Sequence, residues 1–100
     1  MIFRKPFGDV IERQLALFER ENADLLTGLA TAERSYDRAE RDEAEERYSA
    51  FLDLVEAAGE ALADIRDHFA STLGDDAADA YARAFNRAAV RRWPKLAVEL

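Results

Sequence analysis

The chain has no cysteine, one histidine and two prolines in 100 residues. Without cysteine it forms no disulfide framework, thiolate metal site or cysteine nucleophile. A single histidine, His68, excludes any site that needs two imidazoles from one chain. Ile65, not glutamate, stands three residues before His68, so the Glu-x-x-His motif of di-metal helix bundles is absent. The sequence therefore predicts no metal site and no cofactor.

Motifs for phosphate binding and nucleophilic catalysis are also missing. There is no glycine-rich phosphate loop, no nucleophile elbow and no histidine-based dyad. Asp64 lies four residues before His68 on one helix face, where a solvated pair beside the core is a simpler interpretation than a weak metal site. The sequence predicts no catalytic residue and a protein that is not an enzyme.

Long apolar runs are absent as well. No 18-residue stretch lacks a charge, and residues 1–7 include Arg4 and Lys5 without a continuous apolar segment. We therefore expect no membrane span and no standard export signal. A cytoplasmic location is the expectation, and the lack of cysteine is compatible with it.

The residues that are present favour helix. Alanine accounts for 20 residues, whereas valine, isoleucine and threonine together account for 10. Both prolines, Pro6 and Pro94, lie near the ends, so the 87 residues between them contain no proline. The sequence predicts one all-α domain over residues 1–100.

A first helix is predicted over residues 9–39. Asp9 and Glu12 have the spacing of a capping box at its start, and Gly28 costs about 1 kcal/mol within it without ending the pattern. Asn22 occupies a position in the apolar stripe, where it either fixes helix register or, as we favour, faces the rim of a three-helix core. The stripe consists of Ile11, Leu15, Phe18, Asn22, Leu25, Leu29, Ala32, Tyr36 and Ala39.

A second helix is predicted over residues 43–72, out of phase with the first. Residues 37–47 hold six acids and three arginines and no apolar stripe, so we interpret them as the solvated tip of an antiparallel hairpin. Asp42 and Glu45 offer a capping box after the tip. The alternative is one uninterrupted helix over residues 9–71, because neither glycine nor proline marks the turn. The stripe of the second helix is Tyr48, Phe51, Val55, Ala58, Leu62, Ile65 and Phe69.

A shorter third helix is predicted over residues 76–92. Gly74 is interpreted as the glycine that follows the end of the second helix, and Pro94 stops the third. The segment 93–100 is apolar enough to pack, as a helical turn or as an extended tail. The inward residues of the third helix are expected to be Ala78, Tyr81, Ala82, Phe85 and Ala89.

The predicted lengths leave part of the hairpin uncovered. Helices of about 30 residues are ~45 Å long, whereas a helix of about 16 residues covers ~25 Å. We therefore expect an antiparallel hairpin plus a shorter third helix, completed by a second copy in a homodimer. The expected interface comprises Leu25, Leu26, Leu29, Tyr36, Tyr48, Phe51, Leu54 and Val55.

Charge is distributed unevenly along an acidic chain of net charge −7. Residues 83–100 carry five basic groups and one acid, whereas residues 48–82 carry one basic group and eight acids. The basic groups either neutralise neighbouring acids or contact a nucleic-acid backbone. We favour the first interpretation, because Asp79 precedes Arg83 by four residues. This basic stripe consists of Arg83, Arg87, Arg91, Arg92 and Lys95. Trp93 either stacks a base or, as we favour, closes the open end of the bundle.

These observations predict a small acidic helical protein that acts through protein contacts, as an oligomer or adaptor. Its partner is expected to be a second copy or another helical protein. The alternative is a nucleic-acid-associated regulator that uses the basic stripe.

Overall fold

The structure, a computed structural model, describes residues 7–99, with side chains through Leu96. Within this range it contains helices and no strand. The all-α prediction is therefore confirmed. The elements are α1 (Gly8–Glu21), α2 (Ala23–Asp37), α3 (Ala44–Ala70), α4 (Asp75–Arg92) and a 3₁₀ helix (Pro94–Glu99).

The first predicted helix is in fact two helices that meet at Asn22. The Asn22 amide donates to the Phe18 carbonyl oxygen at 2.9 Å, at the end of α1. At the start of α2, the Leu26 amide donates to the Asn22 carbonyl oxygen at 2.9 Å. The Asn22 side-chain Nδ2 also donates to the Phe18 carbonyl oxygen, at 3.0 Å. An asparagine side chain that competes for backbone acceptors disfavours a helix interior. The prediction of one helix over residues 9–39 is therefore wrong.

The turn between α2 and α3 occupies residues 38–43, within the predicted tip. This excludes the alternative of one continuous helix over residues 9–71. The two predicted capping boxes are wrong, because α1 begins after Phe7 and α3 begins after Glu43, and neither start has a side-chain cap hydrogen bond. Phe7 instead adopts a left-handed conformation, with φ of 64°, and its ring meets the Tyr81 ring edge-on at 5.5 Å.

The α3–α4 junction uses hydroxyl groups where we had expected a glycine. Ser71 Oγ donates to the His68 carbonyl oxygen at 2.6 Å, and Thr72 Oγ1 donates to the Phe69 carbonyl oxygen at 2.7 Å. These bonds satisfy carbonyl groups that the end of α3 leaves without an intrahelical donor. Gly74 is extended, with φ of −71°, and directly precedes α4. The prediction that Gly74 directly follows the end of the second predicted helix is wrong, because α3 ends at Ala70 and Ser71 is its C-cap.

The core lies where α1, the second half of α3, α4 and the 3₁₀ helix pack together. Within α1 and α3 the buried apolar residues recur at intervals of three and four, and in α4 they recur every four residues, so each helix turns one stripe inward. Leu96 anchors the 3₁₀ helix in the same cluster, which confirms that the segment after Pro94 packs against the helices. The buried apolar residues are Ile11, Leu15, Phe18, Val55, Ala58, Leu62, Tyr81, Phe85, Ala89 and Leu96.

Residues 23–54 form a second region, which we call the arm; the remaining described residues form the body. The arm contains α2, the turn and α3 as far as Leu54, and none of its residues is buried. Its two helices pack on each other as neighbours across the short turn. The described chain is correspondingly elongated, measuring 54 × 28 × 20 Å.

Candidate functional site

The predicted interface residues do not share one environment. Val55 is 1% exposed and belongs to the core of its own chain, so it is unavailable to a partner. Its core cluster includes Leu96 of the 3₁₀ helix, an element that packs on α3 as α4 does. Five others are half-buried: Leu25, Leu26, Leu29, Phe51 and Leu54.

Tyr36 and Tyr48 form the most exposed apolar part of the arm. Their rings lie 5.1 Å apart across the two helices, and the Phe51 ring lies 6.5 Å from that of Tyr48. Tyr36 is 38% exposed and Tyr48 is 44% exposed. Aromatic side chains with an apolar body and a polar edge are enriched at protein interfaces. The arm thus presents an aromatic surface that no element of the described chain covers.

The basic stripe divides into two groups. Arg92 Nη2 lies 2.8 Å from Glu19 Oε2 and Arg92 Nη1 lies 4.0 Å from Glu12 Oε2, while Lys95 forms an ion pair with Glu33. These two cations therefore join the end of α4 and the 3₁₀ helix to α1 and α2. Their contacts correspond to the interpretation that the basic residues neutralise acids of the fold.

Trp93 packs at the end of the core. Its ring meets the Phe18 ring edge-on at 5.2 Å, and the Arg92 guanidinium lies 5.1 Å from its centroid. The side chain is half-buried. These contacts hold the indole against the core and beside the Arg92 side chain.

The other three arginines lie on the open face of α4. Arg83, Arg87 and Arg91 follow one another at intervals of four residues, and all three are exposed. Asp79 stands four residues before Arg83, yet within residues 7–96 these arginines form no ion pair with it or with any other acid. We call them the arginine row.

The arginine row borders a half-open groove of about 870 Å³ between α4 and the start of α1. Ala84 and Ala88 contribute to its floor from α4, and Val10 and Ile11 contribute from α1. Asp9 and Glu12 also line the groove, on the α1 side. Alanines at intervals of four beside the arginines were readable from the sequence, whereas the α1 side depends on tertiary packing. The result is a groove with apolar lining, arginines along the α4 edge and carboxylates along the α1 edge.

The outer face of α3 carries the opposite charge. Glu56, Glu60 and Asp64 are exposed at intervals of four residues, and within residues 7–96 none of them forms an ion pair. We call them the acidic row. Its periodicity is visible in the sequence, but only the structure shows that the face is open.

Tyr81 is a fully buried titratable group of the core. Desolvation raises the pKa of its phenol above the ordinary value, against the lowering effect of the hydrogen bond that it donates to Gln14 Oε1 at 2.6 Å. Asp64 and His68 are both exposed on α3. Within residues 7–99 no three histidine, aspartate or glutamate side chains converge in a way that could hold a metal ion.

Comparisons with protein-family models, curated proteins and solved structures found no match to this chain. In the described part of the chain, no helix combines the length and apolar character needed to cross a bilayer. The arm and the α1–α4 groove are the two candidate functional surfaces of the described chain.

Proposed function

We propose that this protein is a small helical interaction or adaptor protein that works as a homodimer joined through its arms. The proposal includes the predicted arrangement of an antiparallel hairpin and a shorter helix, in which two hairpins complete a four-helix layer. The observation that carries it is the arm itself, which contains no buried residue although it includes leucines, tyrosines and a phenylalanine.

A pair of helices buries little surface without a third layer. Leu25, Leu26, Leu29 and Phe51 of the arm pack against the core of the body, whereas Tyr36 and Tyr48 are not part of that packing. In the arm, Leu29, Phe51 and Leu54 are half-buried, and Tyr36 and Tyr48 remain exposed beside them. A twofold axis through this surface would bring the same residues of two copies together, as isologous interfaces do. A second copy is favoured over an unrelated partner because the aromatic surface is suited to pairing with itself.

A cytoplasmic location and the lack of enzymatic activity stay predictions. They rest on the absence of cysteine and of recognisable catalytic motifs. Binding is the simpler proposal because each surface described above is suited to contact with a macromolecule.

Nucleic-acid binding is a second candidate, and the unpaired arginine row is the observation that favours it. Three observations weigh against it. Arg92 and Lys95 are paired with acids of the fold, Glu12 and Asp9 line the same groove, and the chain has net charge −7. A protein of this charge attracts phosphate poorly at long range.

The arm contact is tested by measuring mass in solution for the wild type and two glutamate variants. Light scattering in about 500 mM salt, where surface ion pairs are screened, should give twice 11.3 kDa for the wild type. Tyr48→Glu should shift the mass to that of the monomer, because it places a charge in an apolar contact. Leu17→Glu is the matched control, since Leu17 is 43% exposed on α1 of the body. A wild type that stays monomeric at high micromolar concentration would contradict the proposal.

A further inference from the structure

Two rows of opposite charge lie open on this chain and share one spacing. Each row advances by four residues per step, which is about 6 Å along a helix axis. All six side chains are exposed and, within residues 7–96, unpaired. The arginine row is Arg83, Arg87 and Arg91 of α4, and the acidic row is Glu56, Glu60 and Asp64 of α3.

The rows do not meet within one chain although α3 and α4 are neighbours. These helices contact each other through the Phe69 and Tyr81 rings, 4.8 Å apart, and through Arg66 Nη1, which donates to Asn86 Oδ1 at 3.0 Å. Those contacts occupy the faces between the helices and leave both charged rows open. A complementary surface for each row therefore exists on another copy of the same chain.

Small residues accompany each row and permit close approach of two helices. Ala84 and Ala88 are half-buried along the groove beside the arginines, and Ala57, which is exposed, lies beside Glu56 and Glu60. The distance between packed helices depends on the size of the side chains at the contact. A groove floored by alanine accommodates a helix whose facing residues are also small.

We infer that the acidic row of one copy docks into the α1–α4 groove of a second copy, along the α4 edge. The position along that edge follows from charge, because Arg87 attracts the incoming carboxylates whereas Glu12, on the α1 side, repels them. Exposed ion pairs contribute only ~0 to 1 kcal/mol each, so the apolar floor must contribute as well. The contact is electrostatically specific and sensitive to salt.

This contact differs from the arm contact of the proposed function and does not depend on it. It joins two different surfaces, so it is heterologous. A docked pair leaves one groove and one acidic row free, unless each copy places its acidic row in the groove of the other. Assembly through it grows with concentration at low salt. The arm contact is apolar and persists at high salt, so the failure of either proposal is distinguishable from the failure of the other.

Charge reversal with mixing tests the inference. In about 20 mM salt, sedimentation velocity of the wild type should show assemblies that dissociate in about 500 mM salt. The association through the groove should be about tenfold weaker at the higher salt concentration. Arg83→Glu with Arg87→Glu, and separately Glu56→Arg with Glu60→Arg, should each abolish the salt-sensitive species. A mixture of the two variants should restore it, because each groove then meets a row of opposite charge on the other variant.

The control is Arg13→Glu with Arg20→Glu, which changes the net charge by the same amount at exposed positions of α1 outside the groove. It should retain the salt-sensitive species. Circular dichroism should show equal helix content in all variants. Equal masses at low and high salt, or failure of the mixture to restore association, would overturn the inference. So would binding of a DNA duplex that depends on Arg83 and Arg87 without any self-association, because nucleic acid would then be the occupant.

Discussion

Helix α3 runs through both regions of the molecule, and its single apolar stripe is more deeply buried in the body than in the arm. In the body, Val55, Ala58 and Leu62 are buried, whereas in the arm Tyr48 is exposed and Phe51 is half-buried. Val55, Ala58 and Leu62 belong to a core cluster built from α1, α3, α4 and the 3₁₀ helix, whereas the Tyr48 ring meets the Tyr36 ring of α2 and the Phe51 ring of α3. The comparison shows that a residue's burial depends on how many elements pack around its helix as well as on its own stripe.

The largest expected difference between body and arm concerns truncation of a phenylalanine. Phe85→Ala should lower the free energy of unfolding by about 3 to 5 kcal/mol, because Phe85 is fully buried and the change leaves a cavity. Phe51→Ala should cost about 1 to 2 kcal/mol, since a half-buried ring loses less burial. Urea unfolding of both variants at one protein concentration measures the difference. Equal losses would show that the arm is as well packed as the body.

A smaller effect is expected at the Tyr81 phenol, the buried polar group of the body. Tyr81→Phe removes the hydrogen bond to Gln14 and should lower the free energy of unfolding near neutral pH by about 1 kcal/mol.

The Tyr81 effect should also depend on pH. Burial raises the pKa of Tyr81 in the folded chain, so the unfolded chain ionises first as the pH rises. The wild type should therefore lose stability above about pH 10, the ordinary value for tyrosine. The Tyr81→Phe variant lacks this loss. The difference in free energy of unfolding between the wild type and this variant should therefore become smaller in urea titrations at alkaline pH. A constant difference would show that ionisation of Tyr81 is not linked to folding.

The smallest expected effect is a gain of stability in the arm. A Cβ added at Gly28 would meet only Leu54 Cδ1, at 4.0 Å, which is ordinary van der Waals contact. Gly28→Ala should therefore raise the free energy of unfolding by about 0.5 to 1 kcal/mol through helix propensity. Gly74→Ala is the control, because Gly74 directly precedes α4 and alanine is a poor residue there. A loss of stability in Gly28→Ala would indicate that the space beside Gly28 is needed for packing.

Periodicity in the sequence was sufficient to identify the core of the body. Ile11, Leu15 and Phe18 lie on the predicted stripe of the first helix, and Tyr81 and Phe85 lie on that of the third. A residue's position on a helix face depends only on local geometry, which the sequence displays directly. The same reasoning located the turn after α2, where no apolar stripe continues.

The candidate surfaces were only partly predictable. The five basic residues were found as one stripe, but the structure divides them, because Arg92 and Lys95 meet Glu19 and Glu33 from distant parts of the chain. Likewise the sequence places Val55 in an interface, whereas the structure buries it in a core cluster that includes Leu96 of the 3₁₀ helix. Contacts between residues far apart along the chain are not encoded in a local pattern.

The sequence by itself determined that the chain is helical, where the turn after α2 falls and which face of each body helix points inward, because propensity and periodicity act within a few residues. Tertiary structure alone decided two further features. These are the groove between α1 and α4 and the division of the basic stripe into ion-paired residues and the exposed arginine row. Each depends on which helices become neighbours, and that is settled by the packing of the whole chain.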